Sequence, residues 1–283
     1  MNTHTIHLRR RKPLALLPVL TWPRLASADA QDTDGAQLRA AIDGPQRSAA
    51  NRERDGARHP FETLQFFCIA PTQTVVEIAP GAGWYTEILA PYLRDRGRLH
   101  LAHYPASAAS DGQRQARARL KDKLAKSPEV YGRAILGSLP EGARGFTDIA
   151  PAGGADAVLT FRNVHNWIEA NQFDEMLRAF FAVLKPGGVL GVEEHRAAPG
   201  TPMARIIASG YVPEALVIDR ARAAGFEWTG GSEINANPKD TKDHANGVSS
   251  LPPTLRGGDV GRDRFVAIGE SDRMTLRFVK PVR

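Results

Sequence analysis

Hydrophobic and polar positions change rhythm several times along this chain, and the changes divide it into elements. From Asp32 to Arg58 the sequence is polar, with paired alanines and mixed charges, and reads as one or two surface helices. Apolar residues at Phe61, Leu64, Phe67 and Cys68 then follow helical spacing and predict an amphipathic helix laid on a sheet. Beyond it the rhythm becomes short β-branched runs separated by helical stretches. Strands are predicted at 75–78, 98–103, 133–136, 156–161 and 189–193, with helices at 84–94, 111–126 and 171–184 between them. A helix near 213–224 and two late strands, 227–234 and 274–279, complete the pattern.

Strands alternating with helices imply right-handed βαβ units and a mostly parallel sheet covered on both faces. Asp156–Phe161 is a nearly continuous apolar run, interrupted after its first residue only by Thr160, as suits a central parallel strand. Lys185-Pro186-Gly187-Gly188 should break the helix before the fifth strand. The segment 236–272, rich in Asn, Asp, Pro and Gly, is predicted to be a long loop, either functional or mobile. No internal repeat or second core is visible, so residues 59–283 read as one domain preceded by a helical extension at 31–58.

Composition changes this picture mainly at the N-terminus. The formal charge is +6, but residues 1–30 hold five basic side chains against Asp29 alone, which leaves +2 for the rest. That small excess argues against nucleic acid as a partner, because a basic face supplies such affinity. The basic run between Arg114 and Lys126 reads as a solvated helix face rather than an anion patch. Arg9-Arg10-Arg11-Lys12, an apolar stretch from Pro13 to Trp22 and the ending Ala28-Asp29-Ala30 have the parts of a secretory signal peptide. The apolar stretch falls well short of the roughly 20 residues a membrane span needs, so a stable anchor is disfavoured and export is expected, to the periplasm or beyond. Cys68 is the single cysteine, which excludes an intramolecular disulfide, and its apolar neighbours suggest a packed core thiol.

Candidate chemistry gathers at the predicted strand ends. Strand 75–78 runs into Ala79-Pro80-Gly81-Ala82-Gly83 and then into a helix. Glycines there let backbone pass close to a ligand, and a helix start presents N–H groups with partial positive charge. His165 follows the fourth strand and His195 the fifth, so both should face the ligand-bearing edge, where a histidine suits the role of a base. With Glu193 or Glu194 the two histidines could instead hold a metal, although they lack a local ligand spacing, and no metal is expected. Trp167 reads as core, and Asn237, Asp240 and His244 as solvated residues of the late loop.

This arrangement resembles the class I S-adenosylmethionine-dependent methyltransferases, whose first motif is acidic-x-Gly-x-Gly-x-Gly. Glu77-x-Ala79-x-Gly81-x-Gly83 matches it with alanine at the first glycine, and Leu184-Lys185-Pro186-Gly187-Gly188 is similar to that family's turn before strand five. More narrowly, the chain resembles a bacterial group of exported "predicted methyltransferases". The marks of that likeness are Val76–Thr86, Arg162–Trp167, Glu194–Ala197 and Gly269–Met274. The resemblance implies a Rossmann-like α/β fold with a mostly parallel seven-stranded sheet, S-adenosylmethionine as cofactor and a small-molecule acceptor. It implies that Gly81 and Gly83 pass beneath the methionine part of the cofactor, with Glu77 ordering the loop or meeting the cofactor's amino group through water. The family usually places a carboxylate at the end of strand two for the ribose hydroxyls. Here that stretch reads Leu101-Ala102-His103-Tyr104, leaving His103 as the candidate hydrogen-bonding partner. Asn163 would frame cofactor or substrate. Two other readings of the scaffold are an exported binding protein without catalysis and a metal-assisted hydrolase using His165 and His195.

Overall fold

The computed structural model describes Met1, residues 26–140 and residues 145–282. Residues 2–25 of the expected signal peptide lie outside the described residues. Among those described, no helix is long and apolar enough to cross a membrane.

The chain begins with α1 (Ala26–Asp43) and the short helices α2 (Ala49–Arg52), α3 (Asp55–Arg58) and α4 (Pro60–Phe66). There follow β1 (Thr74–Ile78), α5 (Thr86–Leu93), β2 (Arg98–His103), α6 (Asp111–Lys126), α7 (Pro128–Tyr131) and β3 (Ile135–Ser138). Next come β4 (Ala155–Phe161), α8 (Val164–Glu169), α9 (Phe173–Val183), β5 (Leu184–His195), α10 (Met203–Ser209) and α11 (Glu214–Ala223). The chain closes with β6 (Glu227–Ser232), a 3-10 turn at Gly247–Ser250, α12 (Arg262–Ile268) and β7 (Arg273–Val279).

The seven strands form one sheet in the order β3-β2-β1-β4-β5-β7-β6, parallel except for β7, which runs antiparallel to both neighbours. From β1 the chain works outward to β3 and then returns to β4 on the other side of β1. The loops after β1 and β4 therefore diverge, and the crevice between them is where such sheets take ligands.

Alternation along each strand sends side chains into two cores. Val76 and Ile78 of β1 join Val158 of β4 beneath α9, whose Phe173, Met176, Leu177 and Phe180 recur at helical spacing on one face. Val75, Ala157 and Leu159 point the other way, onto Leu38 of α1, Leu64 of α4 and Ile88 and Leu89 of α5. Trp167 is core, with its ring edge-on to Phe180.

Four expectations need correction. α9 ends at Val183, just ahead of the Lys185–Gly188 breaker, but β5 starts at Leu184 rather than at Val189. The chain pairs from Leu184, and the extra residues are taken up by a register shift, with Gly187 at a φ of 78°. Segment 236–272 is no bare loop, since it contains the 3-10 turn and α12. Its Asp240 and His244 are buried, not solvated: Tyr211 Oη donates to Asp240, and His244 Nε2 lies 2.9 Å from the same carboxylate. Cys68 is exposed rather than packed, because α4 ends at Phe66 and Cys68 takes a left-handed turn conformation beside Arg277.

Candidate active site at the ends of β1, β4 and β5

A cavity of about 360 Å³ opens at the carboxyl ends of these strands. Its floor is the loop after β1, its walls come from α2–α3 and from the residues after β4, and Val248–Thr254 contribute the far side.

The floor is shaped by backbone. Ala79 has a φ of 46° and Gly81 one of 59°, and a Cβ added at Gly81 would meet nothing within 4 Å. Gly81 thus presents bare main chain to open space, which fits a ligand needing close backbone approach. Gly83 behaves differently: its φ is 81°, a Cβ there would lie 3.0 Å from Leu120 of α6, and it does not line the cavity. The second glycine serves helix packing. Regular helix starts at Thr86, two residues after the predicted start.

Three side chains hold this loop from behind. Glu77 is buried at the end of β1, and its carboxylate accepts the Thr86 hydroxyl at 2.7 Å, which pins the start of α5. Burial pushes Glu77 up to about 7, against the hydrogen bonds from Thr86 and the charge of Lys123. His103 is fully buried, with Nδ1 accepting the Tyr104 N–H at 2.8 Å and Nε2 lying 3.3 Å from the Gly81 carbonyl. Burial keeps His103 below its ordinary value, hence neutral and donating through Nε2. Both ring nitrogens are thereby committed to backbone, so the structure places His103 as a brace for the loop rather than as a lining residue facing ribose hydroxyls. Lys123, from the basic run expected to be solvated, donates to the Ala82 carbonyl at 3.0 Å and pairs with Glu87 at 2.5 Å.

Beyond β4, Asn163 donates through Nδ2 to the Ile78 carbonyl at 3.1 Å and so ties the end of β4 to the end of β1. His165 stands in the first turn of α8 and His195 ends β5, with ring centroids 5.2 Å apart. Glu193 and Glu194, adjacent on a strand, point to opposite faces. Glu194 meets His165 Nδ1 at 2.9 Å, and Glu193 meets Arg273 at 2.9 Å. Burial would lower His165, but the charge and hydrogen bond of Glu194 hold it above its ordinary value. His195 lies well below its own, through burial first and then His165 and the nearby arginines, while its Nδ1 sits 2.5 Å from Ser271 Oγ. One histidine favours the charged form and its neighbour the neutral one, the pairing that acid–base chemistry needs.

His165, Glu194 and His195 offer atoms within 4.8 Å of one another, near enough to share a cation. Arg162, Arg273 and Arg58 all act on His195, however, and that field opposes a metal there.

Sequence reasoning missed the contribution of the N-terminal extension. Asn51, Arg54 and Arg58 line the cavity. Trp84 anchors them, donating through Nε1 to the Asn51 carbonyl at 3.1 Å, with the Arg58 guanidinium 4.7 Å over its ring. The arginines standing one turn apart, facing Trp84 after the glycine loop, were the available signal.

The strand order and the crevice are those of a Rossmann-like α/β fold, the fold that solved methyltransferase structures share. Among solved structures, the chain is similar to a SAM-dependent methyltransferase from Aquifex aeolicus, with 14% identity over 87% of this chain and 98% of that one, at a TM-score of 0.52. It is also similar to the [4+2]-cyclase SpnF (18% identity, 90% and 96% covered, TM-score 0.56). A third is phosphoethanolamine N-methyltransferase 2 of Haemonchus contortus, solved with S-adenosyl-L-methionine (14%, 91% and 59%, TM-score 0.55). At such identities the likeness is one of fold. No protein-family model and no curated protein matches the chain.

Proposed function

We propose that this protein is an S-adenosylmethionine-dependent methyltransferase acting on a small-molecule acceptor, exported after removal of residues 1–30. The observation that carries the reading is the bare main chain at Gly81, opening onto a cavity that also contains a histidine pair of opposed proton affinity. S-adenosylmethionine supplies an electrophilic methyl group on a sulfonium.

The chain's own residues do the remainder. Ala79 and Gly81 offer backbone to the cofactor, Glu77 and His103 keep the loop in shape, and Asn163 fixes the distance between the two strand ends. His195, held neutral, donates its Nδ1 proton to Ser271 and takes the acceptor's proton at Nε2. His165, charged against Glu194, keeps the adjacent positive charge in place. The protein contributes mostly alignment, which is what a methyl transfer requires.

One feature favours the second reading, a binding protein without catalysis: β2 ends in His103, whose nitrogens are already taken, where a carboxylate would grip a ribose. Calorimetric titration with S-adenosylmethionine and S-adenosylhomocysteine separates the outcomes. Micromolar binding of both is expected, and failure of both to bind overturns the methyltransferase reading. Binding without turnover of any acceptor supports the second. Export is tested by cell fractionation with N-terminal sequencing, a start near residue 31 outside the cytoplasm being expected and an intact chain inside it being contrary.

A further inference from the structure

One wall of the cavity carries more positive charge than its own carboxylates can neutralise. Arg54 and Arg58 of the N-terminal extension, Arg162 after β4 and Arg273 of β7 converge on Glu270 and Glu193. Arg58 meets Glu270 at 3.0 Å, Arg273 meets Glu270 at 3.0 Å and Glu193 at 2.9 Å, and Arg162 comes no nearer to Glu270 than 3.9 Å. Four guanidiniums face two carboxylates, an excess of two positive charges.

All four arginines have a buried nitrogen without a hydrogen-bond partner, although Arg54 Nη2 lies 2.7 Å from Glu270. Arg58, only 1% exposed, has no hydrogen-bond partner at Nη2, and Arg162 has none at its buried Nε. Both side chains line the cavity. Buried guanidinium nitrogens without hydrogen-bond partners are costly, and a ligand that completes them offsets that cost. The field is felt on the arginines themselves: burial, and Arg162 after it, bring Arg58 down to about 9. Glu270 is held at about 2, the four arginines overriding the effect of its burial.

Resting on the methyltransferase reading, we infer that the acceptor is an anion, a small molecule whose carboxylate or phosphate group is clamped by Arg58 and Arg162. The cofactor does not remove the need for it. S-adenosylmethionine bears one carboxylate against an ammonium and a sulfonium, so its arrival adds positive charge to the crevice. A guanidinium fork suits carboxylate and phosphate alike, because both present two coplanar oxygens to its N–H pairs. Arg58, Arg162 and His195 line the same cavity, so an acceptor anchored on the arginines shares it with the base.

The test is calorimetry on the full chain, first with S-adenosylhomocysteine and then, at saturation, with inorganic phosphate, malonate and the neutral malonamide. Binding of phosphate or malonate with malonamide silent is expected, and whichever anion binds more tightly identifies the group. Arg162→Gln should weaken that binding about ten-fold. Its side chain is 24% exposed and loosely paired, so the fold tolerates the change, whereas Arg58 is buried in a 3.0 Å pair with Glu270 and its loss would disturb the fold. Arg220→Gln, a surface change in the pair with Asp174, should leave anion affinity unaltered. The inference is overturned if neither anion binds, if malonamide binds as well as malonate, or if Arg162→Gln weakens S-adenosylhomocysteine instead. A chain that takes anions but not S-adenosylhomocysteine refutes the methyltransferase reading and leaves the anion clamp standing. The converse result does the opposite.

Discussion

His165 and His195 lie with ring centroids 5.2 Å apart and planes tilted by 58°, yet the protein drives their proton affinities apart. Glu194 draws a proton onto the first, while burial, His165 and the arginines strip it from the second. In a titration of imidazole resonances by NMR, His165 should change state above pH 6.5 and His195 well below it. His195→Gln should lower the rate of methyl transfer by about 10²–10⁴-fold with S-adenosylhomocysteine affinity retained. In the wild type, the acid limb of the rate profile should lie below pH 6.5, because the base stays neutral through that point. An unchanged rate in His195→Gln would remove the histidine from the chemistry.

The two glycines of the first loop should separate binding from folding. Gly81→Ala puts a methyl group into the open cavity at a strained backbone position that costs about 1 kcal/mol. We expect S-adenosylhomocysteine affinity to drop by about ten-fold or more, with a melting temperature lowered only slightly. Gly83→Ala pushes its methyl group onto Leu120 at 3.0 Å and Thr86 at 3.3 Å, so the larger loss should be in melting temperature. Calorimetry and thermal melts of both variants check the contrast.

Glu77 gives stability a dependence on pH. In the folded protein its carboxyl keeps the proton up to about 7, whereas the unfolded chain releases it near 4.5. Between those values the native state binds more protons, so this contribution is full below 4.5 and declines as pH rises through 7. Glu77→Gln has no proton to lose. Denaturant unfolding should show wild type losing stability relative to the variant from pH 5 to pH 8, and parallel profiles would contradict the assignment.

The far side of the cavity depends on one carboxylate. Asp240 accepts Tyr211 Oη at 2.9 Å, the Asp272 N–H at 2.8 Å and the Lys242 N–H at 3.0 Å, and sits beside His244. Asp240→Ala leaves several buried donors unpaired and should cost about 3 kcal/mol. Limited proteolysis should then cut first within 236–272, since Asp240 is the hub that ties this segment to Tyr211 and Asp272. Uniform digestion across the chain would argue against this role.

Much of the architecture was legible in the residues. Val75-Val76-Glu77-Ile78 reads as a strand because it is rich in β-branched residues, Asp156–Phe161 because two-sided burial demands a largely apolar run, and α9 because four large side chains recur at helical spacing. The short helices α7, α8, α10 and α12 escaped notice, since four to seven residues are too few to display a period. Cys68 misled because its apolar neighbours pack while its own backbone turns outward.

By itself the sequence determined the βαβ succession, the glycine floor after β1 and the placing of His165 and His195 at strand ends. Periodicity and turn chemistry act between near neighbours, so they are written locally. Tertiary structure alone decided that Gly83 packs while Gly81 lies open, that His103 braces the loop, and that Arg54 and Arg58 meet Arg162, Arg273 and Glu270. Those relationships join residues up to 216 positions apart, and charge and burial at such separations depend on where the sheet brings the chain together.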